Sequence, residues 1–310
     1  MASSDLGPAI REELRTLPGR VQSFIRTLPL ITFMVPVATL SLWLVDAVAS
    51  FAGYSHLTGD ALGLLPNSVT HGQLWRLATY PWAHFGFFHV ALNAIGLVGL
   101  SASAERRVGS LQFLYLLVVV FSALPGILFF VVATLVVRSL NFHLISGLSG
   151  WIMALLAWEC CRVDAPRSFF GLFQVSSKVF PVVFLCLMEL IFPHSSFFGH
   201  LVAMVVGYLY AYGKLDRIVP ASQTMAQWQN KPLMNGLTAS PRFIDINDAS
   251  DTGLFLPNFF SRSGPSATTG AEAASQDQYV TIPDSTSPPQ NPTNPPAQKF
   301  PGKGNRLDNN

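Results

Sequence analysis

Long apolar runs recur along the first two thirds of the chain, at about residues 28–52, 85–104, 111–136, 145–159, 173–192 and 197–213. A membrane-crossing helix needs about 20 apolar residues. The pattern therefore predicts six such helices in an all-α, polytopic membrane bundle. The fourth and sixth runs are short for a bilayer, which suits helices that start or stop inside protein around a water-filled cavity. The fifth is the least apolar, with Lys178 at one end and Glu189 near the other. After the sixth the pattern stops. Residues 221–310 contain no hydrophobic run and hold 11 of the 22 prolines, together with many Ser and Asn. Such a segment buries too little apolar surface to offset its chain entropy. The expected organisation is a cytosolic segment over 1–27, a membrane domain over 28–215 and a disordered cytosolic tail over 216–310.

Composition agrees with the pattern: half of the 310 residues are apolar and only 12% are charged, far from an ordinary soluble surface. A net charge of +2 gives no reason to expect nucleic acid as a partner. Three cysteines, Cys160, Cys161 and Cys186, lie in or beside apolar runs without CxxC spacing. They support neither a disulfide framework nor a zinc site, and no metal or cofactor is expected. Cys160 and Cys161 are read as inert packing, with S-acylation at the helix end as the alternative.

Lys and Arg flanking the runs give the orientation. Eleven of them, from Arg11, Arg15, Arg20 and Arg26 through to Lys214 and Arg217, fall on one side, against Arg76 and Arg138 on the other. That places both termini in the cytosol. Asp5, Glu12 and Glu13 argue against a transit peptide, so the first run is kept as a retained helix.

Polar groups inside membrane helices are costly, so each asks for a reason. The second run opens "HFGFFHVALN", which sets His89 and Asn93 four apart on one helical face, with His84 nearer the loop. The fourth follows "GLSG" and begins at Ser149. The sixth begins "FFGHLVAMVVG", with His200 near its start. All three helices run the same way, so these side chains share one depth just below the luminal surface. A lone Ser or His at such a place is ordinarily structural. A nucleophile, a base and hydrogen-bond donors at matched depth form a candidate site. Ser149 would be activated by His200. His89, Asn93 and the Ser149 N–H would face the oxyanion. Gly147 and Gly150 would allow an unusual backbone, and small residues at 199, 203, 207 and 211 would let the two helices approach closely. The α/β-hydrolase elbow G-x-S-x-G is excluded, because position 151 is Trp and no strand precedes it.

Over about residues 28–215 the chain resembles the rhomboid intramembrane serine proteases. The matching pieces are "GLSG" at 147–150, His200 in "GHLVAMVVG", the H-x4-H-x3-N spacing at 84–93 and Trp75–Arg76 in the first luminal loop. The resemblance implies a catalytic dyad of Ser149 and His200, oxyanion donors His89 and Asn93, a bracing role for Arg76, and no third acid. Asp46 and Glu189 are read as structural. The family's G-x3-E-x3-G appears here as Ser101, Glu105 and Gly109. Ala203 stands three after His200, and Met153 one turn after Ser149. Implied substrates are single-span membrane proteins cut near the luminal end of their helix, with the fifth run as the lateral gate.

Residues 300–307, "FPGKGNRL", resemble the F-x-G-x-G-x-x-L box that docks on the AAA segregase ATPase of the valosin-containing-protein family. Phe300 and Leu307 would anchor it, with Gly302 and Gly304 lying close to the partner. Derlins share the rhomboid fold and such a box, yet act as non-proteolytic adaptors. They lack the Ser–His pair, so the protease is the preferred expectation and the adaptor its alternative. The combination looks most like the fungal Golgi type, which is linked to membrane-tethered transcription factors. A Golgi membrane is expected, with the endoplasmic reticulum second.

Overall fold

The computed structural model describes residues 8–250, apart from 55, 170, 172 and 194. An N-terminal helix, α1 (Pro8–Thr27), precedes six apolar helices: α2 (Leu30–Phe51), α3 (Phe87–Val108), α4 (Ser110–Val136), α5 (Ser149–Cys161), α6 (Phe180–Ile191) and α7 (Phe197–Ala211). The first three of the six are long and apolar enough to cross a bilayer, and the last three are shorter. The predicted all-α bundle is therefore present. An antiparallel hairpin, β1 (Arg167–Phe169) against β2 (Phe173–Val175) with Ser168 opposite Gln174, joins α5 to α6.

Unlike a soluble bundle, this one is apolar on its outer surface as well as in its interior. The interior packs Phe113, Phe121, Leu155 and Trp151, while Val48, Ile95, Leu135 and Leu190 point outward, as lipid-facing positions should. Lipid gives helices little hydrophobic reason to associate, so close packing has to do it. Gly207 on α7 shows how close: a Cβ there would lie 2.3 Å from the Ala154 carbonyl oxygen of α5. α4 is locally wound as π-helix over Leu116–Ala123. The Ser122 hydroxyl donates to the Leu117 carbonyl at 2.7 Å and accepts the Trp151 indole N–H at 2.6 Å. The residue that breaks the hydrolase motif is thereby tied to α4.

Glu105, fully buried near the end of α3, supplies the cap that α2 lacks. Its carboxylate accepts from the N–H groups of Ile31 (2.9 Å) and Thr32 (2.7 Å), from the Thr32 hydroxyl (2.8 Å) and from the Ser110 hydroxyl (2.6 Å). Residue 30 follows a proline, which provides no side-chain acceptor, and a helix start leaves its first N–H groups unpaired. Glu105→Ala should strand several buried donors, at about 1–3 kcal/mol each and less than additively. A clear fall in thermal midpoint in detergent is expected; an unchanged midpoint would show that water replaces the carboxylate.

The ordered chain continues beyond the boundary expected at 215. Residues 216–250, read from sequence as tail, fold against the ends of α1, α2 and α3. Helix α8 (Ser222–Gln229) buries Met225 and Gln229. The Arg242 guanidinium donates to the carbonyls of Ile25 (2.7 Å) and Leu28 (2.8 Å) and sits 4.5 Å over the Phe33 ring. Leu30 N–H donates to the Arg242 carbonyl, Ser110 N–H to the Ile244 carbonyl and Ser250 N–H to the Arg106 carbonyl. Backbone hydrogen bonds and one arginine hold this segment, so no apolar run announces it. Residues 251–310, including the box at Phe300, Gly302, Gly304 and Leu307, lie outside the described residues.

Candidate active site

The first loop is built before the site it supports. Short helices at Leu57–Leu62, Pro66–Thr70 and Arg76–Thr79 follow α2. The Asp46 carboxylate accepts the Thr58 N–H at 2.7 Å and the Thr58 hydroxyl, capping the first of them. Arg76 donates to the Gly63 carbonyl (2.5 Å), the Asp60 carbonyl and the Gln73 amide oxygen (2.6 Å). Burial pulls its pKa below the ordinary arginine value, partly opposed by the charge of Asp60. The bracing role expected for Arg76 and the structural role expected for Asp46 are both seen.

That loop holds the turn leading to the serine. Leu64 and Ile145 exchange backbone hydrogen bonds at 2.9 Å, and Gly147 N–H donates to the Tyr80 carbonyl at 3.1 Å. Leu148 N–H donates to His84 Nε2 at 3.3 Å, and His84 Nδ1 lies 3.4 Å from the Trp82 carbonyl. A backbone N–H can only give its proton, so Nε2 of His84 accepts and Nδ1 carries the hydrogen. His84 is thus a support for the turn. Gly147 has φ +99°, which side chains with a Cβ rarely adopt. A Cβ there would stand 2.7 Å from His89 Nε2 and 3.5 Å from Asn93 Nδ2. Gly150, expected to need an unusual backbone, is instead helical, and a Cβ there meets only ordinary contacts with Ala203 and Tyr80.

Ser149 is the first residue of α5, and His200 lies in the first turn of α7. Ser149 Oγ is 2.7 Å from His200 Nε2. The other ring nitrogen, Nδ1, is 3.0 Å from Glu189 Oε1 near the end of α6. Asn93 donates one amide hydrogen to the His89 carbonyl at 2.9 Å, and the same nitrogen lies beside Gly147. The His84 and His89 rings meet at a tilt of 57°, with 4.9 Å between ring centroids. A small cavity between Ser149 and His200 is walled by Leu64, Tyr80, Phe129, Ile145 and Gly199. A hydroxyl, an imidazole with a free lone pair and donors around one apolar-walled cavity can perform acyl transfer.

A Rhomboid domain matches residues 71–217. The chain is 30% identical over 244 residues to the rhomboid-type serine protease B of Aspergillus fumigatus, covering 77% of this chain and 86% of that protein. The chain belongs to the rhomboid family. The rhomboid-type serine proteases 2 of Neurospora crassa and Gibberella zeae are each 25% identical, over 82% and 84% of this chain and 88% and 95% of theirs. This rhomboid is accordingly an intramembrane serine protease. Its four predicted membrane-domain site residues, Ser149, His200, His89 and Asn93, converge at one end of the bundle. Met153 and Ala203, the two departures near the site, are buried together with Leu185 and Met204. Sequence reasoning set Glu189 aside as structural, and its contact with His200 is the feature of the site it missed. A carboxylate inside an apolar run was the available signal.

Proposed function

We propose that this rhomboid cleaves single-span membrane proteins near the luminal end of their helices through a Ser149–His200 dyad. The observation that carries the reading is the 2.7 Å contact between Ser149 Oγ and His200 Nε2. His200 takes the Ser149 proton as Oγ attacks the scissile carbonyl, and returns it to the departing amine. Water, deprotonated by the same imidazole, then releases the acyl group and restores the serine. His89 Nε2, when it carries the ring proton, and the second amide hydrogen of Asn93 would donate to the oxyanion together with the Ser149 N–H. Their convergence on Gly147 supports this assignment. A substrate helix must unwind locally to present its bond, and α6 is its entry side. Cleavage of a single-span substrate by purified protein in liposomes, wild type against Ser149→Ala and His200→Ala, tests the dyad.

Cytosolic termini, supported by the bias of Lys and Arg, put the 300–307 box within reach of a cytosolic partner. The AAA segregase ATPase is that partner, the Golgi membrane the location, and membrane-tethered transcription factors the substrate class. Phe300→Ala should abolish capture of the purified ATPase while cleavage of a test substrate in detergent continues unchanged. Undiminished capture would remove the box from binding. A derlin-like adaptor role is the second reading. It requires ATPase binding but no serine within reach of a base, and the Ser149–His200 contact favours the protease.

A further inference from the structure

The mechanism above leaves the Glu189 carboxylate idle, yet it touches the reacting ring. Its Oε1 lies 3.0 Å from His200 Nδ1, on the edge opposite the contact with Ser149. The two side chains are mostly withdrawn from solvent, at 13% exposure for His200 and 18% for Glu189. An ionised carboxylate can only accept a hydrogen bond, so the proton between them belongs to Nδ1. A neutral imidazole carries one N–H, and Nε2 is then a bare lone pair aimed at the Ser149 hydroxyl. We propose that Glu189 is the positioning residue of this protease, selecting the tautomer and ring orientation of His200 that can accept the Ser149 proton. The inference rests on the Ser149–His200 reading.

The surroundings support a specific role. A carboxylate within an apolar helix is costly and needs a compensating partner. Of the helices packed against α7, α5 carries Glu159, Cys160 and Cys161 at its far end. The π-wound part of α4 and the turns after it hold no ionisable side chain. α3 brings the His89 imidazole to the turn at Gly147 rather than to the Nδ1 edge of His200. On α6, Cys186 lies a turn before Glu189 and is exposed. Glu189 is thus the anion that meets the ring, and it also steadies the imidazolium formed during acylation. The side chain one turn after Ser149 is Met153, which offers no ring face against which the imidazole could stack. Orientation through Nδ1 supplies what packing there does not.

The test uses the full chain in detergent and in liposomes, comparing wild type, Ser149→Ala, Glu189→Ala and Glu189→Gln. Four quantities are read: kcat and KM on a single-span substrate, the rate at which a fluorophosphonate labels Ser149, and the thermal midpoint. Glu189→Ala should lower kcat by about 10- to 100-fold and slow labelling in parallel, with KM and midpoint unchanged. Glu189→Gln keeps a carbonyl that accepts from Nδ1, so it should recover part of the lost rate. The proposal is overturned if Glu189→Ala labels at the wild-type rate, or if its kcat holds while KM rises. Should the alanine variant fail to fold, a folded glutamine variant with no defect overturns it, and one with an intermediate kcat at unchanged KM supports it. If Ser149→Ala still cuts, the dyad itself fails and takes this role with it. An inert Ser149→Ala beside a fully active Glu189→Ala removes Glu189 alone.

Discussion

Ser149→Ala protein in liposomes is expected to leave a single-span substrate uncut, with turnover lowered by about a thousandfold or more. The reason is covalent: without Oγ no acyl-enzyme forms, and among the described residues no second hydroxyl shares the 2.7 Å contact with His200 Nε2. His200→Ala should fall as far, because Ser149 keeps its proton. The double variant should be no worse than either single one, since the two groups act as a unit. Additive losses would mean that they act separately. Full activity in Ser149→Ala would refute the dyad. The fold should survive both changes, because neither side chain fills the apolar interior around Trp151 and Leu155.

Gly147→Ala should reduce kcat by about 100-fold or more without touching a reacting group. Two costs coincide at this residue. Its φ of +99° strains any residue with a Cβ, and that Cβ would stand 2.7 Å from His89 Nε2. Either the turn before Ser149 shifts or the imidazole of His89 is pushed aside, and both disturb the oxyanion donors. The thermal midpoint should fall only modestly, because the Tyr80 carbonyl and His84 also hold the turn. Wild-type turnover in this variant would show that the donors do not depend on Gly147. Gly150→Ala is the contrast, since a Cβ there meets nothing closer than 3.7 Å.

How much of this was legible in the sequence depended on spacing. His89 and Asn93 are four apart, so a helix must place them on one face, and chain direction gave them the depth of Ser149 and His200. The small positions on the sixth run foretold the approach of α7 to α5, realised at Gly207. Glu189 was not legible in the same way. Its partner is eleven residues on, across the turn between α6 and α7, so the two share no helix or strand whose period could pair them. The segment 216–250 escaped for a related reason. Its anchors are the Arg242 guanidinium and the backbone of Leu30, Ser110 and Ser250. Backbone groups leave no mark in a pattern of side chains.

That segment has a mechanical consequence. Tension applied to the chain beyond Ser250 would first load the single hydrogen bond from its N–H to the Arg106 carbonyl. It would next load the paired contacts between Ile244 and Ser110, and last the several bonds of Arg242. Contacts arranged in series yield one at a time, the weakest first. The segment is therefore arranged like a fuse: a pull from beyond Ser250 would release residues 240–250 before it reached the helices that carry Ser149 and His200.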